Sequence, residues 1–98
     1  MTGQMVSAGE AFQMGIVNRV FPQASLMEET RKVAAQIAGN GAVGVRLAKM
    51  VMDAGFNMDL EEACNLESYA FGIGFTTEDQ KEGMTAFIEK RKPNFKGR

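Results

Sequence analysis

The chain is a succession of short amphipathic blocks, each opened by a polar start signal and most closed by glycine. Four segments begin with a side chain able to accept from an unpaired backbone N–H, followed three positions later by an acid or amide able to reach back. They are Ser7 to Glu10, Ser25 to Glu28, Asp59 to Glu62 and Thr77 to Gln80. The first helix is short, because Gly15 follows Met14 and suits a left-handed C-terminal cap. "IVNRVFP", β-branched at Ile16, Val17 and Val20 and stopped by Pro22, reads as a brief strand or extended segment. A second helix, about Ser25 to Ala38, aligns Leu26, Val33, Ala34 and Ile37 against a polar face of Glu28, Glu29, Arg31 and Lys32, and stops at "GNG". The stretch through "VRLAKMVMDAG" sets Val43, Leu47, Met50 and Ala54 at helical spacing, with Gly55 as its stop. From Asp59 a further helix lines Leu60, Ala63, Cys64, Glu67 and Phe71 along one side and loosens at "GIG". The last, from Thr77, aligns Met84, Phe87 and Ile88 until Pro93 ends it.

These elements predict a mostly α chain of five to six short helices with one short extended segment. A chain of 98 residues buries only about 60 to 65% of its unfolded surface. So many apolar faces in so small a layer imply that some of them pack on something outside the chain.

Composition narrows the chemistry. There is no histidine, so the commonest metal ligand and the usual base for a Ser or Cys nucleophile are both missing. The single cysteine, Cys64, cannot form an internal disulfide, and its place on an apolar helix face predicts a buried structural thiol. No apolar run reaches the roughly 18 to 20 residues that span a bilayer, and "MTGQMVSAGEAF" has no basic and apolar leader pattern. The expectation is a soluble, cytoplasmic protein with no membrane partner.

Charge is polarised. Residues 88–98 carry five bases (Lys90, Arg91, Lys92, Lys96, Arg98) and one acid, net +4, whereas residues 1–87 carry six bases and eleven acids, net −5. An anion met by one end of the chain is implied. On the last helix Phe87 lies three residues from Lys90 and four from Arg91, so one face can offer a ring and a cation together, which suits a flat base plus a phosphate. The alternative is that these bases complement the negative end of their helix. Nucleic acid is a poor fit, because the chain is net negative with one aromatic among the bases.

The adjacent acids Glu28 and Glu29, Glu61 and Glu62, and Glu78 and Asp79 point about 100° apart on a helix and cannot share one substrate proton. They sit in first turns, where negative charge suits the macrodipole. "GNGAVG" follows a helix and lacks Gly-Lys-Ser or Gly-Lys-Thr, so it reads as a turn between helices rather than a phosphate loop. No catalytic and no metal-binding residue is therefore assigned.

"TGQMVSAGEAFQMGIVNRVFP", followed by "TTEDQKEGMTAFIEKRKPNFKGR", resembles the C-terminal third of the enoyl-CoA hydratase (crotonase) superfamily, and the likeness covers essentially the whole chain. It implies that residues 1–98 form a single C-terminal helical region of a crotonase-like α/β fold, without the N-terminal spiral core. In that family the core supplies two glutamates that manage water and two backbone N–H groups that hold the thioester oxygen, all upstream of the motif that here is Thr2–Ala8. The helical region wraps the core, builds a trimer or a dimer of trimers, and lends a surface to the coenzyme A of a neighbouring subunit. Carried to matching positions, Phe87 would lie beside the adenine and Lys90 near the ribose 3′-phosphate, with coenzyme A as substrate handle and no other cofactor required. The implied parent reaction is hydration of a trans-2-enoyl thioester in fatty acid metabolism, and the chain alone is expected to be inactive. A free-standing helical assembly or acyl-CoA-binding module is the competing reading. Two departures stand out: Ala42-Val43 replaces a proline-containing turn, and Met1 falls where relatives carry leucine.

Overall fold

The computed structural model describes residues 3–98; Met1 and the Thr2 that opens the family motif lie outside the described residues. Among them are five α-helices and no strand: α1 (Ala8–Gln13), α2 (Leu26–Ala38), α3 (Ala42–Gly55), α4 (Leu60–Phe75) and α5 (Glu78–Ile88). "IVNRVFP" leaves the helical path as expected, but it forms bends and irregular chain rather than a strand. The chain falls into two compact units, one ending at Val33 and one spanning Ala34–Arg98.

In the first unit, α1 carries the full reciprocal cap: the Glu10 N–H donates to Ser7 Oγ at 3.3 Å, and the Ser7 N–H donates to Glu10 Oε2 at 2.7 Å. The Ser7 N–H, joined by the Ser7 hydroxyl donating to the same oxygen at 2.7 Å, holds the Glu10 carboxyl below its ordinary range. The helix closes on Gly15 at φ +74, where the Gly15 N–H reaches Phe12 O and the Ile16 N–H reaches Ala11 O. The expected start at Ser25 takes another form, because its hydroxyl donates to Pro22 O at 3.2 Å and leaves the helical amides alone.

In the second unit, α3 packs chiefly on α4, and α4 touches α5 more lightly. α3 begins at Ala42, so the turn before it is only Gly39–Gly41, and α4 runs unbroken through Gly72 and Gly74 to Phe75 instead of loosening at "GIG". Close approach rests on small residues: a β-carbon at Gly55 would stand 3.5 Å from that of Ala63. Asp59 and Thr77 cap α4 and α5, accepting from Glu62 N at 2.9 Å and Gln80 N at 3.1 Å.

The apolar stripes face differently from the expected pattern. The least exposed positions of α4 are Ala63, Leu66, Ala70 and Gly74, and those of α5 are Asp79 and Ala86, followed by Gln80, Glu82 and Gly83. Cys64 is exposed, not buried. Leu60 and Phe71 beside it, and Met84, Phe87 and Ile88 on α5, are exposed as well. The physical reason is that α4 spreads its apolar residues around its circumference rather than along one stripe, so its periodicity singles out no one face. Among the described residues the only buried apolar ones are Ala11, Ala70 and Ala86, a core far too small to satisfy so many large side chains.

Candidate functional site

The basic end does not hang free. From Arg91 to Arg98 the chain turns back as a strap along the acidic head of α5. Asp79, 5% exposed, accepts from the Lys96 N–H at 2.6 Å and the Gly97 N–H at 2.8 Å, and its own N–H donates to Arg98 O at 3.1 Å. Phe95 lies over Gly83, where a β-carbon would stand only 3.4 Å from the ring. Arg98 Nε sits 3.2 Å from Glu78 Oε2.

Glu82 is the second anchor. Its two oxygens receive Arg91 Nη1 at 2.6 Å and Nη2 at 2.9 Å, and Oε1 also accepts the Asn94 N–H at 2.7 Å. Arg91 Nε meanwhile donates to Glu89 Oε2 at 2.6 Å. The Arg91 guanidinium and the Asn94 amide hold the Glu82 carboxyl down at about 2, and the two glutamates push Arg91 upward. Because the folded state lowers the Glu82 pKa below its ordinary 4.5, the contact stabilises fully above about pH 4.5 and is lost as pH falls toward 2. We expect the urea midpoint of the chain to fall across that window. Glu82→Gln, which cannot ionise, should show a shallower fall over the same pH range.

Lys90 stands where the helix gives way to the strap. Expected on a helix reaching Pro93, it instead lies past the end of α5 at φ +53, the one non-glycine residue in the left-handed region among those described. Its N–H donates to Phe87 O at 3.3 Å and that of Arg91 to Ala86 O at 3.0 Å, the closing pair that glycine usually serves. A side chain in this conformation costs about 1 kcal/mol. Lys90→Gly is therefore expected to raise stability by about 1 kcal/mol in urea unfolding, whereas Lys90→Ala, which keeps the β-carbon, should change it by less than about 0.5 kcal/mol.

The two residues carried over from the sequence are thus adjacent and open: Phe87 is 81% exposed, and Lys90 is exposed with no ion pair among the described residues. Arg91, expected to join them, is fully engaged by Glu82, Glu89 and Lys92 O. Asp79 and Glu82 are the residues sequence reasoning missed as anchors. The available signal was the opposite charge of the head of α5 and the tail.

A groove of about 930 Å³ runs between α3, α4 and α5, its walls mostly apolar and including Leu47, Val51, Phe71, Phe75, Met84 and Phe95. The rings of Phe71 and Phe75 stand 4.9 Å apart within it, tilted by 50°. No cluster of three metal-ligating side chains occurs among the described residues, and no helix is long and apolar enough to cross a membrane.

Comparison with known proteins identifies the setting. The family model described as enoyl-CoA hydratase/isomerase matches residues 1–98. A crotonyl-CoA hydratase of Syntrophomonas wolfei is 46% identical over 94 residues, 96% of this chain and 36% of that protein. A short-chain-enoyl-CoA hydratase of Clostridium acetobutylicum is 45% identical over 98 residues, 99% of this chain and 38% of the relative. The crystal structure of an enoyl-CoA hydratase from Bacillus anthracis superposes with a TM-score of 0.96 at 40% identity, again over 99% of this chain and 38% of the other. The chain thus spans a little over a third of the length of these relatives, and its helices match the helical part of their crotonase-like fold.

Proposed function

Because the chain belongs to the enoyl-CoA hydratase/isomerase family, we propose that it supplies the coenzyme A grip and the assembly surfaces of an enoyl-CoA hydratase. Adding water across a trans-2-enoyl thioester needs a general base and acid at the alkene, and donors aimed at the thioester oxygen where negative charge develops. In this reading those groups lie outside residues 1–98, and the helices hold the substrate by its handle.

The observation that carries the proposal is the exposed pair at the end of α5. Phe87 offers a flat ring on which an adenine can stack, and Lys90 offers an unpaired ammonium for a ribose 3′-phosphate. The exposed apolar faces of α4 and α5 support assembly, with the trimer of the family as the proposed form and no nucleic acid or membrane as partner. A cytoplasmic setting completes the proposal.

Titration calorimetry of the chain with coenzyme A and with 3′-dephospho-coenzyme A tests this. A single charge-assisted contact should favour coenzyme A by roughly tenfold. Lys90→Ala should erase that preference, while Phe87→Ala should weaken both ligands equally. Equal binding of the two ligands by the unaltered chain would refute the assignment.

The apolar groove favours a second reading, an acyl-CoA-binding module, in which the groove takes the acyl chain. Affinity would then rise steadily with acyl length. The leading reading predicts no such dependence.

A further inference from the structure

Lys90 occupies a conformation that lysine avoids, and such a conformation persists only where the surroundings determine it. Left to itself, Lys90 would take the right-handed region and lengthen α5 by a residue or two, up to Lys92, which Pro93 turns away from helix. What prevents this is the backward course of the strap. The contact nearest the turn that joins the strap to the body of α5 is made by Glu82, which grips Arg91 with both oxygens and the Asn94 N–H with one of them. It thereby brackets Lys92 and Pro93 on either side. Glu89 touches the same guanidinium, but from only two residues away, so it ties Arg91 to the turn and not to the helix.

We infer that Glu82 is a positioning residue, which through Arg91 and the Asn94 amide fixes Lys90 in the left-handed turn and so aims its ammonium at the phosphate of an incoming ligand. The inference rests on the reading of Lys90 as the phosphate contact. An aimed cation need not be ordered anew at each binding event, so the grip acts by lowering the conformational cost of contact. It also explains why a carboxylate stands beside a site for an anion. Its charge is engaged by Arg91, and its service is geometric.

A purely electrostatic role makes the opposite prediction, and this separates the two. Removing either Glu82 or Glu89 deletes one negative charge near the same guanidinium, so electrostatics alone would have Glu82→Gln and Glu89→Gln both strengthen coenzyme A binding. Positioning predicts that they part. Glu82→Gln should reduce the preference for coenzyme A over its 3′-dephospho form from roughly tenfold to about twofold or less, while Glu89→Gln keeps it. Arg91→Lys retains the charge but cannot make the two-pronged contact, and should behave as Glu82→Gln does.

The experiment pairs calorimetry of these variants with amide hydrogen exchange of the same samples. In Glu82→Gln and Arg91→Lys, the Lys90 and Arg91 amides, which close the turn onto Phe87 O and Ala86 O, should lose protection while the amides of α3 and α4 keep theirs. Retained preference with protected Lys90 and Arg91 amides in both variants would overturn the inference. If Lys90→Ala erases the preference and Glu82→Gln does not, Lys90 stands as the contact and Glu82 falls as its positioner. An unaltered chain with no preference at all overturns both.

Discussion

Asp79→Ala is expected to lower the stability of the unit spanning Ala34–Arg98 by about 2 kcal/mol and to release its C-terminal strap. The side chain is buried and serves two backbone donors at once, Lys96 N–H at 2.6 Å and Gly97 N–H at 2.8 Å. Alanine leaves both without an acceptor in a half-buried setting. Unsatisfied buried donors cost more than the bonds themselves contribute, and the chain can recover that cost only by letting the strap go to water. Phe95 would then leave its seat over Gly83 and add lost apolar burial. For a unit of this size, 2 kcal/mol corresponds to a fall in Tm of roughly 10 °C. Urea unfolding combined with trypsin cleavage after Arg91 and Lys96 reads both effects. Asp79→Asn, which keeps one acceptor oxygen, should fall between. An alanine variant with an unchanged urea midpoint and an equally resistant strap would show that Asp79 does not anchor it.

The parts of this structure that sequence reading anticipates are those governed by chemistry three or four residues wide. Ser7, Asp59 and Thr77 cap helices because their oxygens meet amides a few positions on, and Gly15 closes α1 because only glycine enters the left-handed region without cost. Ser25 shows the limit of such patterns, since the same hydroxyl found a carbonyl at Pro22 instead. Gly72 and Gly74 should weaken α4 on propensity alone, yet the helix continues through them, consistent with packing overriding a local cost of about 1 kcal/mol each.

The strap was not readable, because its anchors span nine to twenty residues and nothing in the local pattern of Lys90 distinguishes a left-handed turn from one more residue of helix. The apolar faces misled for a different reason. Met84, Phe87 and Ile88 align along α5, but the positions this chain buries on that helix are Asp79 and Ala86. Hydrophobic periodicity reports the burial a sequence is built for. Among residues 3–98 most of the larger apolar side chains of α4 and α5 are exposed, so their spacing alone does not say which face this chain buries. Spacing marked Phe87 and Lys90 as a ring and a cation on one face, and the family resemblance implied their roles; the structure adds their exposure.

The second large effect concerns catalysis. Hydration requires an ionisable group placed to deliver or remove a proton at the alkene, and a focus of donors at the thioester oxygen. The acids that come together at the head of α5 are committed elsewhere: Asp79 and Glu82 to the strap, Glu78 to Arg98. Glu28 and Glu29 are taken by Lys32, and Glu10 by its own cap. With no histidine in the chain and no acid among these left to act as a base, binding should be separable from turnover.

The most direct measurement is therefore a crotonyl-CoA hydration assay on the purified chain, following loss of the ultraviolet absorbance of the conjugated thioester at concentrations where coenzyme A binding has been established by calorimetry. The account predicts saturable binding sensitive to Lys90→Ala, with hydration no faster than in buffer alone. Hydration above that background, abolished by substituting any residue of this chain, would contradict it and place the chemistry within these helices.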